Sequence, residues 1–193
     1  MRKQLCLTAD IGGTNTRVAL FDNEKLLESS CTTYSNNEYD SFETIIKNYL
    51  DLVNERCVKF AGIAAAGPIQ EKSAKMTNLS WSLTERSIAS ITGAEQVGII
   101  NDLQAQGYGL TSLDKSDLEP ITVGSQSANS NATRLVCGIG TGFNAAPVFN
   151  VGHKIFVPPS EAGHSKLSLP DEGYQPVFAK IGSVGSFVSV EDI

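Results

Sequence analysis

Histidine, methionine and tryptophan are scarce in this chain, at two, two and one residues. Neither histidine stands at a spacing that builds a metal site. The four cysteines, Cys6, Cys31, Cys57 and Cys137, form no CxxC pair. They lie in apolar or strand-like stretches, so reduced core thiols are expected rather than zinc ligands or a disulfide framework. No apolar run approaches the roughly 20 residues of a spanning helix, which excludes a membrane partner. No basic stripe exists either: fifteen Lys and Arg are scattered among twenty-one Asp and Glu, for a net charge of −6. Nucleic acid is thereby excluded, since phosphate-backbone binding needs clustered positive charge. Met1-Arg2-Lys3-Gln4 runs into strand-like sequence without an apolar signal region, and the expected location is cytoplasmic. No fixed-period repeat is present, which excludes a solenoid.

What is present is an ordinary globular composition, 41% hydrophobic over 193 residues, enough for one good core or two small ones. Gln4 to Ile11 alternates apolar residues, breaks at Gly12-Gly13 and resumes as Thr16 to Asp22, which predicts a glycine-turned β-hairpin. A third strand is expected over Lys25 to Tyr34. Asp40 with Glu43 reads as a capping box before a helix whose apolar stripe is Phe42, Ile45, Ile46, Tyr49, Leu50 and Val53. Val58 to Ala66 reads as a buried strand, Ser82 with Glu85 as a second capping box, Gly93 as that helix's end, and Gln96 to Asn101 as another buried strand. A short helix is expected from Gln104 to Leu110, then a polar boundary over Asp114 to Arg134. Strands follow over Leu135 to Val148 and Lys154 to Val157, then a compact polar segment from Ser160 to Ser168, a helix over Tyr174 to Ile181 and a last helical turn at Val190 to Ile193.

Four segments carry candidate chemistry. Asp10-Ile11-Gly12-Gly13-Thr14-Asn15-Thr16-Arg17 places small residues at a hairpin tip, where backbone N–H groups can approach an anion and positive φ is permitted. Asp10, just before the turn, suits a hydrated Mg²⁺ that bridges phosphates. The plainer alternative is a tight turn in which Asp10 caps backbone donors. Gly138-Ile139-Gly140-Thr141-Gly142 is a second glycine turn between strands. It lacks the Gly-Lys-Ser/Thr ending of a Walker A loop, and the strand-like sequence after it is not that of a Rossmann fingerprint. Two such turns imply a nucleotide gripped from two sides. Ile99-Ile100-Asn101-Asp102 delivers an amide and a carboxylate at a strand's C-terminal end. That carboxylate can take a proton from a sugar hydroxyl attacking a γ-phosphoryl group; alternatively, Asp102 only caps the next helix. Glu161 and His164 suit vicinal sugar hydroxyls, while a zinc site there would lack further ligands. His153 reads as a turn residue.

With Ala64 to Pro68, Met76-Thr77-Asn78-Leu79-Ser80-Trp81 and Ser189-x-Glu191, these segments resemble, in order and along the whole chain, the bacterial glucokinase family of the sugar kinase, Hsp70 and actin superfamily. The resemblance implies an α/β chain of actin-like (ribonuclease H-like) ATPase fold. A small α/β domain would span 1–112, with the phosphate 1 loop and catalytic aspartate; the start of a large α+β domain would span 113–193, with the phosphate 2 loop. It implies ATP-dependent phosphorylation of the glucose 6-hydroxyl, with Asp102 as base. Asn78, Asn101, Gly140, Glu161, His164 and Glu191 would meet the sugar. Asp10, Gly12, Gly13, Thr14, Asn15, Gly140, Thr141 and Gly142 would meet ATP, with Asp10 holding Mg²⁺ through water. Trp81 would anchor the core, and a homodimer is implied.

Two departures qualify the resemblance. The cysteine-rich zinc motif and N-terminal DNA-binding segment of the related repressor branch are missing, which argues against a regulator. Family members also continue past Glu191 into an adenosine-binding stretch, so a truncated form is expected here. A non-catalytic sugar-binding or regulatory remnant is therefore the alternative reading. A third, an actin- or Hsp70-like ATPase, is opposed by Glu161 and His164.

Overall fold

The computed structural model describes residues 4–76, 79–122, 132–139, 143–152, 154–166 and 189–190. The chain divides into two compact units, Met1–Ala105 and Gln106–Ile193.

In the first unit, β1 (Leu5–Ile11) and β2 (Asn15–Asp22) form the expected hairpin, in register from Leu5 opposite Asp22 to Ile11 opposite Thr16. Leu5, Leu7, Ala9 and Ile11 are all buried, as alternation along a strand with one face on the core requires. The single strand expected next is instead two, β3 (Lys25–Leu26) and β4 (Thr32–Ser35), both antiparallel to β2. A 3₁₀ turn, Glu28–Ser30, separates them. Buried Ser30 explains the interruption: its hydroxyl accepts from the Leu20 N–H at 2.9 Å, and its carbonyl accepts from the Tyr49 hydroxyl at 2.9 Å.

Helix α1 (Phe42–Leu52) buries Phe42, Ile45, Ile46, Tyr49 and Leu50, the stripe read from the sequence. Its cap is Ser41 rather than Asp40, because Ser41 is the extended residue next to the first helical one and its hydroxyl accepts from the Thr44 N–H. Glu43, freed of a capping role, accepts from the Ser87 hydroxyl at 2.9 Å. Strand β5 (Phe60–Ala65) lies parallel to β1. Strands β6 (Ile69–Gln70), β7 (Ser73–Lys75) and β8 (Ser82–Thr84) form a small antiparallel sheet, and Ser82 opens β8 two residues before the cap position, too early to cap. Thr84 and Ser87 form the box that opens α2 (Glu85–Thr92), while Glu85 pairs with Lys72 at 3.2 Å. Gly93 ends α2 in the left-handed conformation, as expected. Strand β9 (Gln96–Asn101) lies parallel to β5, and α3 (Asp102–Gly109) follows without a connecting residue.

The main sheet runs β3-β2-β1-β5-β9, with β4 also on β2. An antiparallel hairpin side thus joins a parallel side built from helical crossovers, the ribonuclease H-like, actin-like arrangement. Phe42, Tyr49, Leu7, Ile11, Ile45, Ile46, Ile63, Leu83 and Ile88 are fully buried, each contributing about 1.5–3 kcal/mol through burial. Trp81 belongs to the same core cluster.

In the second unit, β10 (Arg134–Ile139), β11 (Phe143–Val151) and β12 (Lys154–Phe156) form an antiparallel meander. Val136, Ala146, Val148 and Val157 are its buried residues among those described. Gly107 leaves no room for a side chain: a Cβ there would stand 2.9 Å from Val157 Cγ1. The thiol expectation is corrected, for Cys31, Cys57 and Cys137 are exposed and only Cys6 is half-buried; all are free. Cys31 follows the 3₁₀ turn, Cys57 lies in the segment between α1 and β5, and Cys137 is on the exposed face of its strand, where apolar neighbours in sequence are not neighbours in the core. The helix read over Tyr174 to Ile181, His153 and the last turn's residues 191–193 lie outside the described residues.

Candidate active site

Register fixes the site's frame. Asp10 is aligned through Ala64 with Ile100, and Ile11 through Ala65 with Asn101, so β1, β5 and β9 end together. Asp10 lies one residue before the end of β1, and Asp102 directly follows β9. Both carboxylates stand at the C-terminal edge of the parallel strands, where open α/β sheets bind ligands. Across the hairpin, Arg17 is paired with Asp10 in register and its guanidinium is 3.7 Å from the carboxylate.

Burial pushes the Asp10 carboxyl above the ordinary carboxylate range; Arg17 opposes that rise and the negative charge of Asp102 adds to it. The two aspartates therefore repel one another at neutral pH, and a cation between them would relieve the repulsion. Among the described residues no group of three His, Cys, Asp or Glu is gathered for a metal. That donor set, carboxylates without a protein cage, fits Mg²⁺, which keeps most of its water and uses one or two carboxylates plus substrate phosphates.

Asp102 shares the start of α3 with its neighbours. Asn101 Oδ1 accepts from the Leu103 N–H at 3.0 Å, and Gln104 Oε1 accepts in return from the Asn101 N–H at 3.2 Å. This reciprocal pair is a capping box that opens α3. Asp102 Oδ1 shares the Leu103 N–H at 2.8 Å, while Asp102 Oδ2 has no hydrogen bond among the described residues. Asn101 is 8% exposed and Asp102 only partly buried, so one carboxylate oxygen is held and the other is available.

The hairpin tip Gly12 to Asn15 is closed by Gly12 N–H donating to the Asn15 carbonyl at 3.0 Å. Positive φ, allowed for in the sequence reading, occurs at other glycines such as Gly93 and Gly152. Glycine at position 12 serves close approach instead: a Cβ would stand 3.3 Å from the Asn15 carbonyl oxygen. Gly13, Thr14 and Asn15 are exposed. Asn36, 2% exposed, holds the tip from beneath through bonds to Gly12, Thr14 and Thr16.

In the second unit, Glu161 and His164 flank the 3₁₀ turn Ala162–His164, with His164 Nε2 and a Glu161 oxygen 4.0 Å apart and both side chains exposed. Asn144 positions their segment: its Nδ2 donates to the Ser160 carbonyl at 2.6 Å and its Oδ1 accepts from the Ala162 N–H at 2.9 Å. Ser189 bridges to Lys166, and the Val190 N–H donates to the Ser165 carbonyl. Asn78, Gly140, Thr141, Gly142 and Glu191 lie outside the described residues.

Asp10, Asn101, Asp102 and the tip residues are thus brought to one sheet edge in the first unit, and Glu161 and His164 to one turn in the second. Asn36 and Asn144 were not singled out by sequence. Each is an asparagine at or beside a strand end, and only the tertiary bonds distinguish them from ordinary turn residues.

The family model for glucokinase matches residues 7–193. A glucokinase of Nostoc punctiforme is 32% identical over 171 residues, covering 87% of this chain and 50% of that protein. The crystal structure of a glucokinase from an Antarctic psychrotroph superposes with a TM-score of 0.79 at 29% identity, covering 98% of this chain and 60% of that one. A ROK family glucokinase from Streptomyces griseus shares the fold at a TM-score of 0.58 and 20% identity, over 85% of this chain and 51% of that one. The chain spans about half the length of the curated relatives it matches. By sequence along nearly its whole length, by strand order and by superposition, this chain belongs to the glucokinase family.

Proposed function

We propose that this chain carries the phosphoryl-transfer and sugar-recognition residues of a glucokinase that transfers the γ-phosphoryl group of ATP to the glucose 6-hydroxyl. The observation that supports it best is the pairing of Asp10 and Asp102 at one sheet edge, with Asp102 Oδ2 left open beside the capped Asn101. In this reading Asp102 accepts the O6 proton as the O6–P bond forms and the bond from the γ-phosphorus to the bridging oxygen breaks, releasing ADP. Asn101 orients the sugar with its remaining amide donor. Glu161, His164, Asn78, Gly140 and Glu191 hold the other hydroxyls. Gly12, Gly13, Thr14 and Asn15 receive the phosphates, as do Gly140, Thr141 and Gly142. Asp10 would hold Mg²⁺ through water, and the ion would neutralise phosphate charge. The Streptomyces griseus glucokinase structure is a complex with glucose and AMPPNP, which supports the same ligands here. The reading keeps 1–112 as the small domain and 113–193 as the start of the large one, in a cytoplasmic homodimer.

Asp102→Asn should lower kcat by about 10²–10⁴ while glucose binding survives, read by a coupled ADP-release assay and by calorimetry. Undiminished turnover would remove the assignment. A non-catalytic sugar-binding role is the second reading, favoured by the chain spanning about half of its relatives' length. It predicts calorimetric glucose binding without any heat from an ATP analogue.

A further inference from the structure

We infer that Asn36 is a positioning residue that makes the Gly12 to Asn15 tip an anion receptor, by holding the Gly12 and Thr14 carbonyls so that the Gly13 and Thr14 N–H groups stay open. The inference rests on the phosphate-binding reading of that tip.

A hairpin tip exposes both ends of its peptide dipoles, and an anion gains from the N–H ends only where the carbonyl ends are turned away. Here the carbonyls of Gly12, Thr14 and Asn15 are occupied. Asn36 Nδ2 donates to the Gly12 carbonyl at 2.9 Å, the Asn36 backbone N–H donates to the Thr14 carbonyl at 2.9 Å, and the Asn15 carbonyl takes the Gly12 N–H at 3.0 Å. The N–H groups of Gly13 and Thr14 meet no acceptor among the described residues, and both residues are exposed.

The orientation of the Asn36 amide is dictated rather than optional. A carbonyl can only accept, so the atom facing Gly12 O must be the nitrogen. The other end, Oδ1, accepts from the Thr16 hydroxyl at 2.7 Å, and Thr16 is fully buried, so the amide has no second arrangement. Asn36 is itself delivered by β4, whose Ser35 pairs with Asn15, and by the 3₁₀ turn Asn36–Glu38. One buried side chain and its own N–H thus set the polarity of a tip more than twenty residues away, at a sequence separation of 24 from Gly12.

The test uses the 193-residue chain and magnesium tripolyphosphate, followed by amide NMR. In the wild type the Gly13 and Thr14 amides should shift saturably. Asn36→Asp keeps size and the acceptor for Thr16 but removes the Nδ2 donor; it should weaken that titration by about tenfold or more and leave glucose binding unchanged. A smaller loss, or equal loss of glucose binding, overturns the inference. If the wild-type amides do not shift, the phosphate reading itself fails and takes the inference with it. Should Asn36→Asp not fold, Thr16→Val decides: by releasing the amide it should also weaken the titration, and an unchanged affinity overturns the positioning role.

Discussion

At the scale of single residues, Asp10 carries a small cost in the folded chain, of the kind the proposed cation-holding role would relieve. Its carboxyl titrates higher in the folded chain than in the unfolded one, chiefly through burial. A raised acid contributes stability only below its unfolded pKa, and that contribution is lost as pH rises through the folded value. At neutral pH the charged form therefore opposes folding. Because the Asp10 side chain is about half exposed and solvent screens its charge, Asp10→Asn should raise the melting temperature at pH 7 only slightly, and that small gain over wild type should vanish below about pH 4, where both states are protonated. The same substitution should abolish the response of the tip amides to magnesium tripolyphosphate. Thermal melts across pH check the first expectation. Of these residues, Asp10, Asp102 and the small residues of the tip were legible as candidates because each stands at the end of an alternating or apolar strand pattern that the sequence itself displays. Asn36 was not, since its importance lies in bonds to positions 20 and 24 residues away.

At the scale of elements, the sequence located the helices better than it located their caps. Asp40 and Ser82 both carry acceptable capping side chains, yet Ser41 and Thr84 do the capping. A cap depends on which residue adopts the extended conformation just before the helix, and the preceding strand or turn decides that. Thr84→Ala should accordingly cost about 1 kcal/mol in urea unfolding, with Ser82→Ala near neutral. The end of α2 was legible for the opposite reason, because only glycine tolerates that conformation easily. Gly93→Ala should destabilise by about 1–2 kcal/mol or more, since φ is +67° and the new Cβ would meet Cys57 Cβ at 3.0 Å. The turn between β6 and β7 is the reverse case. Glu71 and Lys72 both take positive φ without being glycine, and Glu71→Asn should stabilise the chain by roughly 0.5 kcal/mol while keeping the Lys72–Glu85 ion pair.

At the scale of the whole molecule, the two units are built to different strengths. The first has a six-stranded sheet and a continuous buried cluster drawn from strands and both crossover helices. The second, as described, has a three-stranded meander that leaves Leu135, Ile139, Val151 and Phe156 exposed. Native-state hydrogen exchange should therefore find the amides of β1, β5 and β9 the slowest, with those of β10 to β12 opening at lower free energy. Equal protection in both units would contradict this. The sequence by itself determined the hairpin, the apolar stripe of α1, the strand, helix, strand order from β5 to β9 and the family, because periodicity and local motif chemistry are written in near neighbours. Tertiary structure alone decided that Asp10 and Asp102 share a sheet edge, which oxygen of Asp102 stays open, and that Asn36 orients the tip. Those outcomes depend on strand register and on hydrogen bonds between segments far apart in the chain, which no local pattern encodes.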